Sequence, residues 1–575
     1  MSKTPNYDSK VKAILDATKP GERVCALTGE KWFMDEEEIG WYKKFNVPPG
    51  QYSPRIRMWH NAAWYTAFQW WWNKHAETGQ PVLTYVHPAT GLRVLPDKEW
   101  FGKDFSSINH EYTCEKSFFD IFRELELKIP FSAGRNSVEP ANSVATVSMG
   151  DTNSYFVSGC VSKNCFYCLD CQNAEFCVDC NAGVDITDCW KVHHSVRMFN
   201  CKFAIESQDC MNSSFLFDCR NCENCFGATN KRNRKYIWFN EQISKEEYEK
   251  RIADARTGKY SMLRQYEARF IQMMQDAKWP ENFNRNSTNC IGDYLIKCAN
   301  AKFCFYGLDS TDGYYCYGFY RAKDCAFCCA VPGEHCYQSW TRTAYNCKFS
   351  QSVFSCDDVE YCLNCYNCSH CFGCVGLQKK KYCIFNRQYE EQDYWQKLDA
   401  LKCEMLDSGE YGRPFPIKYS FSYFPESGCS LYFGAELSDW NKIGAMKFDA
   451  SAEGAYGEQR IEGKTVASSD ELPDDIRDSA VDGWVGKLVL DKEINRPLTY
   501  LKQEVEFYRK HDLPLPRQHL TARIRDLARM MNIGTIETVE CAECGKAVNV
   551  AVNRSFQKRN ILCNACYLKF IEQNG

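Results

Sequence analysis

The chain has no stretch approaching the ~18 consecutive apolar residues of a membrane-spanning helix. Its first residues, MSKTPNYDSKVKAILDATKPGERV, hold no apolar core of a secretory leader. Both absences lead to the expectation of a cytoplasmic protein with no membrane partner, in which thiols stay reduced. Charge of one sign is lacking too: 70 Lys and Arg against 74 Asp and Glu leave a net charge of -4 and a pI near 6.3. Nothing global therefore demands a polyanionic partner. No G-x-S-x-G, H-E-x-x-H or G-x-G-x-x-G motif occurs, so no catalytic or cofactor-binding residue is assigned. GEQRIEGKT at Gly457–Thr465 has five residues between its glycines, not the four of a phosphate-binding loop, and no apolar strand precedes it.

What the sequence has is cysteine, 36 residues of it in a chain of 575. That is roughly 6%, below the ~8–10% of a small disulfide scaffold. The length exceeds a single core and sets an expectation of about two to four domains.

Two internal duplications organise the chain. NCKF occurs at Asn200–Phe203 and Asn346–Phe349, CxNCxxCFG at Cys219–Gly227 and Cys365–Gly373, and KYxxFN at Lys235–Asn240 and Lys381–Asn386, all at one offset of 146 residues. Upstream the register slips by one or two residues, so the earlier rungs differ in length. A helical pattern follows each copy. ISKEEYEKRIADAR carries a capping box at Ser244-x-x-Glu247 and apolar residues Ile243, Tyr248 and Ile252, while the second copy continues as YEEQDYWQKLDALKCEML. The second duplication joins the ends: EIGWYKKFNVPP from Glu38 resembles EVEFYRKHDLPLP from Glu504. Arg55-Ile56-Arg57 and Arg523-Ile524-Arg525 then align across a two-residue indel.

Near the C-terminus, Cys541-x-x-Cys544 and Cys563-x-x-Cys566 are separated by 18 residues. CxxC pairs so spaced suit tetrahedral Zn²⁺, each pair bending the backbone so that two thiolates converge. Gly545 follows the first pair, where a positive φ is needed. KAVNVAVN between the pairs alternates as a strand does, and Tyr567 and Phe570 fall on a short helix. One structural zinc, with a closed four-thiolate shell, is the expectation. In the N-terminal copy His75, Thr78, Pro96 and Glu99 take the four ligand positions. Thr and Pro cannot serve there, so that module is expected to be metal-free. WYTAFQWWW at Trp64–Trp72 then offers either compensating core or an exposed binding face.

The central cysteines recur at separations of three and nine, as in Cys362, Cys365, Cys368, Cys371 and Cys374, or Cys347, Cys356, Cys365, Cys374 and Cys383. A nine-residue beat resembles a β-roll whose coil of about 18 residues stacks equivalent positions. Its narrow interior needs small, uniform side chains, and reduced cysteine is a small hydrophobe with a weak S–H donor. Asn, Asp and Ser between them suit corners, and Phe203, Phe305 and Phe349 cover the outside or fill wider ends. The competing readings are zinc or iron–sulfur sites, and disulfides. Against a metal site, the first copy has Ala228 in place of Cys374. His193 and His194 read as satisfied side chains, and Asp474 and Asp475 as the start of a solvated helix. Arg517, Arg523, Arg525, Arg529, Lys558 and Arg559 surround the zinc module. They are either a solvated face or a phosphate-contacting one.

The tail EFYRKHDLPLP…RIR…CxxCG…CxxCY and the block CxxCFG…KYCIFN…YEEQDYWQKL resemble large cysteine-rich zinc-ribbon proteins of candidate-phyla bacteria. The resemblance covers most of the chain and implies a fold and a metal, but no reaction. It also implies further cysteine pairs, of which this chain keeps only Cys25, with Ser53 and His519 standing at the second positions.

The expected architecture is multidomain and β-rich, with duplicated Cys-rich parallel β-solenoid (β-roll-like) units, each followed by helices. Zinc-ribbon or treble-clef-like end modules flank them. The expected boundaries are 1–135 (metal-free module), 136–283 and 284–410 (the two Cys-rich units), 411–500 (a connecting α/β region) and 501–575 (zinc module). A non-enzymatic scaffold with a protein partner is the leading functional expectation. The alternatives are a nucleic-acid-associated protein, a thiol redox or metal-storage protein, and an enzyme with an unmarked site.

Overall fold

The backbone of the central region returns to pair with itself every twelve residues. In the computed structural model, which describes residues 2–112, 116–330, 332–446 and 464–575, Val184 pairs in parallel with Val196 and Val196 with Gln208. Trp190 pairs with Lys202, Lys202 with Ser214, and Ser214 with Phe226. The second array repeats this: Ala299, Thr311 and Lys323 are successive partners, as are Asp357, Ser369 and Lys381. The expected coil of about 18 residues is therefore corrected to twelve. Shorter steps of eleven, such as Tyr155 to Phe166 and Gly333 to Ala344, account for the slipping register upstream.

A three-residue rule generates the coil. From Asn164 to Phe239 every third residue has a positive φ, between 41° and 71°. Four such bends close one coil. L-residues reach this region at a cost, and Asn and Asp reach it most readily after glycine. From Cys165 to Ala228 the residue after each bend is buried. Cys165, Cys168, Cys171, Ala174, Cys177 and Cys180 all follow a bend, and each is at most 2% exposed. Asn-Cys and Asp-Cys pairs thus recur because a left-handed residue precedes a small inward one. On the outside the bends stack: Asn200 Nδ2 donates to Asn212 Oδ1 (2.9 Å), and Asn289 and Asn300 donate to Asn300 and Asp312 (2.9 and 3.0 Å).

Many inward thiols lie within reach of two carbonyls, two residues back and eight or nine residues on, either of which can take the single S–H proton. Cys356 Sγ lies 3.4 Å from Phe354 O and 3.4 Å from Cys365 O, and Cys365 and Cys374 repeat the pattern. The nine-residue beat is three sides of a four-sided coil. Serine serves equally: Ser195 Oγ donates to His193 O (2.8 Å) and accepts from Ser207 N (3.0 Å). At some larger inward side chains a glycine makes room. A Cβ on Gly313 would lie 2.7 Å from the Phe319 ring, and one on Gly183 would lie 2.6 Å from Ile186. No described cysteine forms a disulfide, and burial pushes the Cys362 and Cys374 thiols well above the ordinary range.

The KYxxFN motifs end the arrays. Ile237–Trp238 turns back antiparallel to Glu241–Gln242, as Lys381–Ile384 does to Arg387–Gln388. The motif asparagine then stands in for a missing coil: Asn240 Oδ1 accepts from Thr229 N (2.8 Å) and Asn386 Oδ1 from Val375 N (2.9 Å). This blunts an otherwise open sheet edge. Helices follow, at Lys245–Ala255, capped by Ser244, and Tyr260–Asp276 in the first copy, and at Glu391–Asp407 in the second. Tyr248 of the first is buried, whereas Ile252 is 39% exposed. Phe270 of Tyr260–Asp276 packs on the outward Phe203 and Phe215, with ring centroids 5.2 and 5.7 Å apart.

The chain divides into two compact units that do not follow sequence order. One comprises Met1–Ala133, Asn284–Ala455 and Ile533–Ile536, and the other Gly134–Phe283, Tyr456–Asn532 and Glu537–Gly575. The N-terminal module thus shares a unit with the second array, and most of the C-terminal module with the first. The 411–500 region is split likewise, with helices Gly428–Phe433 and Trp440–Ile443 in one unit and strands Val466–Ser468, Leu488–Asp491 and Arg496–Leu498 in the other. Most of Gly457–Thr465 lies outside the described residues. Trp64, Phe68 and Trp71 are buried, so WYTAFQWWW is largely core.

Replacing Cys362, whose backbone N–H donates to Ser350 Oγ (3.1 Å), tests the packing rule. Cys362→Ser is expected to change stability by no more than about 1 kcal/mol, because both carbonyl acceptors remain. Cys362→Leu overfills the coil and should cost about 1–3 kcal/mol or more in denaturant titrations.

Candidate metal centre and its vestiges

Cysteine 541 opens a tight turn in which its N–H donates to Lys546 O (2.8 Å) and Gly545 N–H returns to Cys541 O (2.9 Å). Gly545 has a φ of 72°. Ala547–Asn553 follows as the expected strand, and Asn564–Asn574 as the expected helix, with Cys563 at its N-cap and Cys566 in its first turn. The four sulfurs of Cys541, Cys544, Cys563 and Cys566 converge to within 4.8 Å of one another. Cys544 Sγ and Cys563 Sγ are 3.8 Å apart. Four thiolates about 2.3 Å from a tetrahedral zinc would stand about 3.8 Å from each other, so the set fits that ion. Cys563 N–H donates to Cys541 Sγ (3.2 Å). Burial pushes the Cys541 thiol up, but the N–H groups of Cys563, Cys544 and Glu543 outweigh it and bring it down to about 6. Hydrogen bonds to Cys563 and Cys544 leave Cys566 holding its proton, pushed up to about 12. Among the described residues no other group of three or more Cys, His, Asp or Glu converges this way.

The same turn occurs elsewhere without four thiols. His75 N–H donates to Gln80 O and Gly79 N–H to His75 O (2.8 and 3.0 Å), and Cys25, Glu30 and Gly29 repeat the pattern (2.8 and 2.9 Å). His75 and Glu99 do meet, with Nε2 and Oε2 3.1 Å apart, while His75 Nδ1 accepts from the Glu77 and Thr78 N–H groups (3.2 Å each). Thr78 and Pro96 act through local turns: Thr78 Oγ1 accepts from Gln80 N, and Pro96 O from Trp100 N. Buried Trp71 and Trp100 fill the space beside them. Ser53 Oγ and Arg55 both bind Glu30. His519 N–H donates to Asp491 Oδ2 (2.8 Å).

The arginines around the four-cysteine module do not form one free face. Arg523 is buried, donating to Asp179 Oδ2 (2.9 Å) and to the Tyr508 hydroxyl (3.1 Å). Arg559 donates to Asn532 Oδ1 and Ala551 O (2.9 and 2.7 Å), and Arg517 lies 4.1 Å over the Tyr260 ring. Arg525 pairs with Glu493. His193 and His194 are buried, with His194 Nδ1 2.7 Å from Glu206 Oε2. Asp474 accepts from Ser261 N and Oγ (2.9 and 2.8 Å) and caps the Tyr260–Asp276 helix instead of starting one of its own.

The buried Arg523 has a counterpart that the sequence alignment misplaced. Glu38, Tyr42 and Arg57 stand where Glu504, Tyr508 and Arg523 stand, at a constant offset of 466 residues. Arg57 donates to the Tyr42 hydroxyl (3.0 Å) as Arg523 does to Tyr508. The two-residue indel inferred from the Arg-Ile-Arg match is therefore wrong: the tyrosine–arginine contact, not the tripeptide, is what the copies share. Arg57 reaches Gln338 Oε1 (3.2 Å) and Tyr337 of the second array. Arg523 reaches Asp179, and Glu504 accepts from Tyr167, of the first (2.9 Å each). The Glu-x-x-x-Tyr spacing in both terminal copies was the available signal for these clusters.

No family model and no curated protein matches the chain. Among solved structures, a protein described as an acetyltransferase from Desulfovibrio desulfuricans G20 is similar over 48% of this chain and 83% of its own, with 8% identity and a TM-score of 0.10. A likeness at that score carries no argument for fold or activity.

Arg523→Met strands two buried carboxylates and should lower stability by about 3–5 kcal/mol. Arg525→Ala removes only a partly exposed pair and should stay within about 1 kcal/mol in the same denaturation assay.

Proposed function

We propose that this protein is a zinc-stapled, non-enzymatic binding scaffold. In this reading the two Cys-rich arrays are β-solenoids and the C-terminal module is a zinc ribbon that anchors to the first of them. The single observation that carries it is the convergence of Cys541, Cys544, Cys563 and Cys566 at the spacing of a tetrahedral thiolate site. Zinc would be held by all four sulfurs, which leaves no open position for substrate and makes the metal a cross-link.

The cross-link joins elements that touch the first array. Cys563 and Cys566 frame the start of Asn564–Asn574, and Tyr567 on that helix donates its hydroxyl to Asp218. Asp218 also pairs with Arg220 and Arg232 (3.1 and 2.9 Å). Strand Asn560–Leu562, just before Cys563, pairs with Lys278–Pro280. Fixing the two knuckles therefore fixes the helix and strand that meet the end of the array. Stacked coils in turn offer long, regular columns of outward side chains, the kind of surface that repeat proteins use to bind partners. The burial of these thiols and their bonds to carbonyls favour this reading over thiol redox or metal storage.

Elemental analysis of protein purified under reducing conditions tests it. One zinc per chain is expected, lost in Cys563→Ser. On chelation, amide exchange should quicken in Asn564–Asn574 and Asn560–Leu562, while the array thiols stay unreactive until the chain unfolds. No bound metal in the unsubstituted protein, or several zinc or iron ions per chain, would reject the proposal.

A further inference from the structure

The two duplicated clusters differ in one respect, which is charge. In the unit holding the second array, Arg57 faces one carboxylate, Glu38, at 3.7 Å, and its other array partners are the neutral Gln338 and Tyr337. In the unit holding the first array, Arg523 faces two, Asp179 and Glu504. Asp179 Oδ2 is 2.9 Å from Arg523 Nη1, and Glu504 is joined to it through the Tyr508 hydroxyl, 3.1 Å from each. Asp179 and Glu504 are 2% and 1% exposed. Where one copy places an amide the other places a second acid, so one buried cation serves two buried carboxyl groups.

The surroundings do not cancel that excess. Tyr167 donates to Glu504 Oε2 (2.9 Å), and Trp190 hydrogen-bonds Asp179. Lys191 faces Asp179 but is itself paired with Glu267 at 2.7 Å, and Arg264 holds that glutamate's other oxygen. From the terminal module come Tyr500 and His519. Burial holds His519 well below its usual range, with Arg496 and Arg523 adding to the effect, so it stays neutral.

We propose that the Asp179–Glu504 pair binds one proton when the C-terminal helices Lys502–Lys510 and Leu520–Arg529 are docked on the first array, so that this docking weakens as pH rises. Isolated charges of one sign in an apolar site are relieved by neutralising one of them. Burial pushes Glu504 up to about 7 and raises Asp179 as well, while Arg523 opposes both shifts. In the unfolded chain both acids lose their protons near pH 4. Between about pH 4 and 7 the folded protein therefore holds the extra proton, and stability declines with rising pH across that window. Above it both states are ionised and the cost stays constant.

The experiment is denaturant unfolding and amide exchange of the full-length, metal-loaded protein at pH 5.5, 7 and 8.5, for the unsubstituted chain and for Asp179→Asn. The substitution gives this cluster the amide of its counterpart. Relative to Asp179→Asn, the unsubstituted protein should lose up to about tenfold in its folding equilibrium constant per pH unit below pH 7, the slope of one linked proton. Exchange in the two helices should quicken with pH in the unsubstituted protein and stay level in the variant. The metal thiols titrate equally in both, so the difference isolates the cluster. Equal slopes would overturn the proposal. If Asp179→Asn fails to fold, Glu504→Gln supplies the same comparison, and a slope unchanged in it would overturn the proposal as well.

Discussion

The narrowness of a twelve-residue coil governs this protein. Four bends, each at a left-handed residue, bring the chain round so tightly that most inward positions hold a small side chain, with Ile186, Met198 and Leu216 among the larger ones. The interior also presents carbonyl oxygens that need donors. Alanine fits but donates nothing, and valine fits only in places. Cysteine and serine both fit and donate, which is why Ser195 and Ser207 interrupt a ladder of thiols without disturbing it. A side chain that exceeds the space is matched by a neighbour with none, as Phe319 is by Gly313. The array thiols are buried and bonded to carbonyls, where they pack as small hydrophobes with a weak donor.

That constraint has consequences at the ends. A stack of short parallel coils leaves unpaired backbone at its edge, and the arrays meet this with an antiparallel return strand and an asparagine that imitates the next coil. Asn240 and Asn386 share the same left-handed conformation, with φ of 66° and 67°, and make the same bond. A coil this thin also has little interior to share, so it gains apolar burial by covering its outer aromatic columns. Helix Tyr260–Asp276 does so over Phe203 and Phe215 in one unit. The N-terminal helix Pro54–Ala62 does so in the other, with Arg57 3.3 Å over the ring of Phe327. Buried arginines among tyrosines fix where each module sits, because a misplaced docking would strand a charge.

One turn recurs at Cys25, His75 and Cys541, and among the described residues only the last belongs to a convergent set of four thiols. The backbone bonds at Cys25, His75 and Cys541 are the same, and glycine takes the left-handed position in all three, with φ of 71° to 72°. At His75 a histidine–glutamate contact and buried tryptophans occupy the place of the sulfurs. The turn depends on its backbone bonds and glycine, since it forms alike with and without the four-thiol set.

Cysteine spacing and internal repetition were enough to locate the C-terminal thiol cluster, both duplications, the Ser244 cap and the small inward ladder, because these depend on local geometry or on residue identity at fixed intervals. The coil length was not legible. A thiol bonds the carbonyl nine residues on, so the strongest period in the sequence is three sides of the coil. The bends that would have revealed a three-residue rule are filled by Phe203, Lys191 and Tyr167 as well as by asparagine. Tertiary structure alone decided that Arg523 is a buried docking residue and not part of an exposed basic face. It also decided that Arg57 is its partner in the duplication, and that each terminal module lies with the array farther from it in sequence. Those outcomes depend on which surfaces meet across more than a hundred residues of chain, and a local pattern carries no record of that.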